Sequence, residues 1–134
     1  MKLSKKQRAE LKMKCGGRCA YCGIELGDRW QADHVEPVNR KFKWVRGTDG
    51  ITRSVATGEM WNPENDHIDN LLPACAPCNN DKHSATLEEW RRRLSDLLGS
   101  LERNSSTFRH ARRFGMVVEA PKEIRFHFED WKPE

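Results

Sequence analysis

The sequence predicts an α+β fold: a small metal-stapled core with helices flanking it on the N-terminal and C-terminal sides. Three observations point there. Two Cys-x-x-Cys pairs, Cys19/Cys22 and Cys75/Cys78, sit in the first and second halves of the chain. A short alternating segment, residues 29–36, ends at Pro37. Helix start signals lie before the first pair and after the second. The composition fits a staple. A chain of 134 residues is one domain. Leu, Ile, Val and Phe number only 25, just under the ~20% where burial struggles to offset ordering entropy. The net charge of +4 is too small to hold the chain disordered, so a thin core supported by a metal is the better reading.

The first helix is predicted from Lys5 to Lys14. Ser4 is its cap, Gln7 completes a capping box, and Gly16-Gly17 ends it. Cys15 reads as a small packed residue, not a fifth ligand. Residues 18–27 read as a tight metal-binding turn in which Gly23 takes positive φ. In the strand at 29–36, Trp30, Ala32 and His34 alternate with Gln31, Asp33 and Val35. Residues 38–65 show no clear period and read as a long irregular hairpin or loop, a type usually functional or mobile in small domains. A helix is expected from about Pro77 to His83. Another begins at Thr86, with Glu89 completing its box, and carries Leu87, Trp90, Leu94, Leu97, Leu98 and Leu101 on one buried face. Residues 104–107 break it. A strand is expected around Glu123–Phe128. The division is a domain at 1–103 and an extension at 104–134, basic and then acidic.

No apolar run approaches the ~20 residues that span a bilayer, so no membrane partner is expected. No apolar stretch follows the N-terminal charges, so a secretory signal is not read. A cytoplasmic protein with reduced thiols is the expectation. In that setting two Cys-x-x-Cys turns read as one tetrahedral four-thiolate zinc site. With no open position that Zn²⁺ is structural. The competing redox reading needs a βαβ setting, which is absent. The 52 residues between Cys22 and Cys75 mean that a substantial element is inserted between the halves of the site.

The chemistry concentrates between and just after the pairs. Asn79 and His83 are spaced i, i+4, on one helical face. With Asp33 they make a mixed oxygen and nitrogen set suited to a hard or borderline divalent cation. His34 points to the other side of its strand from Asp33, free to take a proton from water.

Cys19-x-x-Cys22, Asp33-His34-x-x-Pro37 and Asn70-Leu71-Leu72-Pro73-x-Cys75-x-x-Cys78-Asn79-x-x-Lys82-His83 together closely resemble the HNH endonuclease family in its four-cysteine zinc version. The resemblance covers roughly residues 15–83. It implies a ββα-metal (His-Me finger) core and metal-dependent hydrolysis of DNA phosphodiester bonds. His34 matches the general base and Asn70 the asparagine that braces the loop and helps orient that base. Asp33 and Asn79 match ligands of one catalytic cation, Mg²⁺ or Mn²⁺. His83 matches a further ligand of some members. Asn79 stands where the third letter is often histidine, so this is an H-N-N variant. A second pair, Asp66-His67, is not followed by proline and lies only eight residues before Cys75. His67 is therefore expected to be a loop, substrate-contact or solvated residue. The segment 38–65 is an enlargement over the usual family pattern.

Charge supports a nucleic-acid partner. Val38–Arg53 carries Arg40, Lys41, Lys43, Arg46 and Arg53 against Asp49, and Arg91–Arg113 carries seven arginines against Asp96 and Glu102. Segregated positive charge is what phosphate binding requires. Arg40, Lys41, Lys43, Arg46, Lys82 and Arg91 are the expected contacts, with Trp44 and Trp61 to wedge or stack. Lys82 and the Arg91–Arg93 run read equally as solvated helix residues. Stand-alone proteins of the family type serve phages, mobile elements and restriction systems, which implies packaging or other DNA-processing proteins as further partners, in the host cytoplasm for a phage protein. The alternative is a catalytically silent zinc module that binds nucleic acid or docks proteins.

Overall fold

Ser4 opens helix α1 (Lys5–Met13) in the computed structural model, which describes residues 1–134. Its hydroxyl accepts from the Gln7 amide, and the Gln7 side chain accepts from the Ser4 amide. Gly16 and Gly17, at φ 68° and 77°, then turn the chain into the first cysteine pair. Gly23, at φ 78°, closes that knuckle, where its amide donates to the Cys19 carbonyl.

Two separate antiparallel sheets follow. Strand β1 (Gln31–His34) pairs with β4 (Leu71–Ala74), aligning Asp33 with Leu72 and His34 with Leu71. Strands β2 (Arg40–Arg46) and β3 (Thr52–Met60) pair only with each other. Helix α2 (Ala76–Lys82) leaves β4 through the second cysteine pair and packs on β1. The unit β1–β4–α2 is thus a ββα arrangement with a hairpin inserted between its strands. The mixed α+β architecture and the four-cysteine cluster agree with the sequence-based expectation.

The C-terminal half differs from expectation in two places. The leucine-rich helix is broken. Thr86 and Glu89 cap α3 (Leu87–Ser95) as expected, but Asp96 ends it and begins α4 (Leu97–Asn104). Aspartate is a poor interior helix residue because it competes for local hydrogen bonds. Here its backbone leaves helical geometry (φ −101°, ψ 9°), and its carboxylate pairs with Arg103. Ser105 caps α5 (Ser106–Arg113). The strand expected at Glu123–Phe128 is extended chain followed by a single turn, α6 (His127–Asp130).

This last segment enters the core. Phe126 is 2% exposed. It stacks on Trp90 at 5.2 Å and meets the edge of Tyr21 at 5.4 Å. The amides of His127 and Phe128 donate to the carbonyls of Tyr21 and Ala20. Residues 124–131 therefore close the knuckle from outside, and the extension shares the core of the preceding residues. Such aromatic pairs add about 0.5–1.5 kcal/mol each beyond their buried area. No helix is long and apolar enough to cross a membrane.

Candidate functional site

The two knuckles bring Cys19, Cys22, Cys75 and Cys78 together, with all four sulfurs within 4.8 Å of one another. Cys22 and Cys75 Sγ are 3.8 Å apart. A tetrahedron with ~2.3 Å metal–sulfur bonds has edges of about 3.8 Å, so the cluster can hold a structural metal ion such as zinc. The thiols are already polarised. The Cys78 thiol beside Cys19 is the largest influence lowering the Cys19 pKa to about 4, and the same contact raises Cys78. Cys15 is buried and belongs to no such group, as expected for a packed residue.

A second locus lies where β1, α2 and the hairpin meet. A cleft of ≈ 540 Å³ is lined by Asp33 and His34 from β1, by Asn79 and His83 from α2, and by Arg40, Phe42 and Trp61 from the hairpin. The ββα unit thus brings Asp33, His34, Asn79 and His83 to one cavity. Each is held differently.

Asp33 is 5% exposed. Its Oδ2 accepts from the Tyr21 hydroxyl and faces Lys82 Nζ at 3.1 Å. Burial and the neighbouring Asp33 raise the Tyr21 pKa, so this phenol remains a donor. The one buried side-chain polar atom without a partner is His127 Nε2. Asp33 Oδ1, which accepts no hydrogen bond, is therefore open to the cleft. Asn79 Nδ2 donates to Gln31 Oε1 at 2.6 Å, which leaves the amide oxygen of Asn79 free. His83 caps α2 with φ 52°, a region sparsely populated by residues other than glycine, and Nδ1 lies 3.0 Å from Ser84 Oγ. One carboxylate oxygen, one amide oxygen and one imidazole suit a hard or borderline divalent cation that keeps water or phosphate as its other ligands.

His34 Nε2 is 2.9 Å from Asp66 Oδ1. The N-terminal ammonium, 2.8 Å from Oδ2, and then His34 hold the Asp66 carboxyl below the usual aspartate range. An ionised carboxylate only accepts, so Nε2 carries the hydrogen. The Nδ1 lone pair, which meets no protein donor and is not buried, is then free to accept a proton. The His34 carbonyl accepts from Lys82 Nζ at 2.8 Å, fixing the backbone as well. Asn70 acts one step away. Its Oδ1 accepts from the Glu36 amide and its Nδ2 donates to the Glu36 and Asn65 carbonyls. It clamps the loop after β1 and does not touch the His34 ring.

Two expected phosphate contacts are corrected. Lys82 is fully buried, at 0% exposure, with its ammonium spent on Asp33 and the His34 carbonyl. It is neither a phosphate contact nor a solvated residue. Arg91 is held by Glu88, Glu129 and the Ile124 carbonyl, and lies over the Phe126 ring at 4.5 Å. It fastens the C-terminal segment and is not available to DNA. On the hairpin the ion pairs are Lys41–Glu59 and Arg53–Asp49, which leaves Arg40, Lys43 and Arg46 unpaired. Lys41 also lies over the Trp61 ring at 4.4 Å.

Asp66, Tyr21 and Gln31 were not anticipated. Asp66 stood in the second Asp-His pair, but the signal was in its aspartate, while His67 is an exposed loop residue. Compared with models of known families, with curated proteins and with solved structures, the chain finds no match.

Proposed function

We propose that the protein is a metal-dependent endonuclease of the HNH type, hydrolysing DNA phosphodiester bonds, with a structural zinc on Cys19, Cys22, Cys75 and Cys78. The observation that carries the reading is the Asp66–His34 pair, whose imidazole lines one cleft with Asp33, Asn79 and His83. A carboxylate-oriented imidazole beside an oxygen-rich cation site has no evident use in a purely structural module.

Asp33, Asn79 and His83 are the residues that would hold the catalytic cation, Mg²⁺ or Mn²⁺. When bound, it supplies charge stabilisation for the phosphate in the transition state. His34 Nδ1 takes a proton from water as the water oxygen bonds to phosphorus. Asp66 balances the imidazolium that results. The bond from phosphorus to the 3′ oxygen breaks, and the released oxygen takes its proton from solvent. Asn70 and Lys82 keep the loop and backbone that present His34 from shifting. Arg40 stands at the cleft to meet the phosphate chain.

One observation favours the competing reading of a silent zinc module. Lys82 neutralises Asp33, so the cation site carries little net negative charge. A plasmid assay separates the readings. Supercoiled DNA incubated with the protein and Mg²⁺ or Mn²⁺ is expected to be cut, and His34→Ala is expected to lose cutting by about 10²-fold or more while still binding DNA. Undiminished cutting by His34→Ala would return the site to a binding role.

A further inference from the structure

We infer that one face of the β2–β3 hairpin is a stacking platform for a single-stranded segment of DNA, leading into the cleft. The inference rests on the proposed nuclease reading and names the form of its substrate. Side chains alternate along β2, so Phe42, Trp44 and Arg46 share a face; a register shift separates Arg40 from them, and it joins the row at the cleft that it lines with Phe42. Opposite them stand small residues of β3: Ala56 faces Phe42, Ser54 faces Trp44 and Thr52 faces Arg46. The rings are therefore uncovered, with Phe42 61% and Trp44 76% exposed.

Three features select the occupant. Arg40 and Arg46 have no carboxylate partner, so the ends of the row are cationic. The face is continuous with the cleft, since Arg40 and Phe42 line it together with His34 and Asn79. Residues two apart on a strand stand about 6.6–6.8 Å apart, roughly twice the spacing of stacked bases, which leaves room for one base between the rings. A duplex hides its base faces and offers only sugar and phosphate to such a row. Unpaired bases offer their π-faces, and alternating rings and cations are what they bind. On the opposite face Lys43 and Val45 stand against Val55 and Arg53, with no aromatic ring among these strand residues.

The test uses the full chain without added divalent cation, so that cutting does not intervene. Anisotropy is read for a labelled single strand of about 12 nucleotides, for the same sequence as duplex, and for its RNA counterpart. The DNA strand is expected to bind tightest. Trp44→Ala is expected to weaken it about 5- to 100-fold and duplex binding less than about twofold. Trp44→Phe should keep most of the affinity, and Val45→Ala, on the other face, all of it. Duplex binding as tight as single strand overturns the platform, as does preference for RNA or an equal loss with Val45→Ala. If these affinities hold and neither plasmid nor the single strand is cut once Mg²⁺ or Mn²⁺ is added, the nuclease reading falls and the platform stands. If cutting succeeds and Trp44→Ala changes nothing, the platform falls alone.

Discussion

The knuckle core and the β2–β3 hairpin are made from one short chain by opposite rules. In the core, Cys19, Ala20, Tyr21, Trp90 and Phe126 meet from three distant segments, and all are buried. In the hairpin no residue of either strand is buried, and the strands are held by their own ladder and by the turn in which Gly50 takes φ 80°. An isolated two-stranded ribbon is marginal in water, and exposed apolar side chains in a group mark an interaction surface. The contrast teaches a division of labour. Stability is concentrated where the four cysteines and the aromatics meet, and the hairpin is free to be shaped by what it touches. Lys41, Lys43 and the arginines along it also blunt its exposed edges against self-pairing.

The sharpest way to break this contrast is at the metal. Cys75→Ser removes one thiolate from a cluster of four. Small zinc modules draw about 10–16 kcal/mol of apparent folding free energy from such a site, more than the ~5–15 kcal/mol stability of a typical domain. The variant is expected to lose its cooperative thermal transition and its bound zinc, as read by near-ultraviolet circular dichroism and metal analysis. Retention of a native melt would mean that the aromatic cluster alone carries the core.

The next largest effect falls on Lys82. Removing one partner of a buried ion pair costs about 3–5 kcal/mol, because the other charge is left without compensation. Lys82→Met is therefore expected to lower the unfolding free energy by an amount of that order, read as a fall in the denaturant midpoint at unchanged slope. It should also impair plasmid cutting beyond the loss of fold, because the His34 carbonyl loses its donor. A stability within about 1 kcal/mol of the parent would show that Asp33 is satisfied by Tyr21 alone.

These two sites also mark what the sequence made legible. The cysteines declare themselves by spacing, and the Ser4–Gln7 and Thr86–Glu89 boxes by a three-residue interval, because both signals are local. His34, Asp33 and Asn79 could be placed at one site through the family pattern. Lys82 could not be read as buried, since lysine is almost never fully buried without a partner, and its partner lies 49 positions away, on β1. Asp66 orients His34 across 32 positions, with no periodicity to announce it. The regular strands of the hairpin, read only as a long irregular hairpin or loop, were hidden for a different reason. Exposed on both faces, it alternates apolar and polar residues only over Lys41-Phe42-Lys43-Trp44, too short a run to reveal a strand with one buried side. Phe126 sits in a segment too short for any period, and only its insertion beside Trp90 gives it meaning.

A smaller effect is expected where the tail meets the core. Arg91 holds the Glu129 carboxyl below the usual glutamate range, and the Phe126 amide adds to this. A depressed folded-state pKa means stability that is present above the unfolded value and is lost as pH falls through the folded one. Glu129→Gln is therefore expected to destabilise by about 1–2 kcal/mol near neutrality. The difference from the parent should shrink as pH drops below the ordinary glutamate range. Parallel melts at neutral and acid pH read this directly. A gap that stays constant with pH would assign the effect to packing of the tail, not to the carboxylate.

The smallest effect on folding is expected from the largest deletion. The hairpin is closed at its base by Trp61 N to Asn39 O at 2.8 Å and Asn62 N to Val38 O at 3.0 Å, and Val38 is the last buried residue before the strands. Excising residues 41–59 and joining Arg40 to Met60 through two glycines keeps those bonds and removes no residue of the aromatic cluster. Loop closure changes only slowly with length, about 0.6 kcal/mol per doubling. The shortened chain is therefore expected to melt within about 1 kcal/mol of the parent and to keep its zinc, while losing most of its affinity for single-stranded DNA. A collapse of the core on excision would mean that the ribbon is structural after all. The division between a cysteine-clustered scaffold and the proposed binding arm would then be wrong.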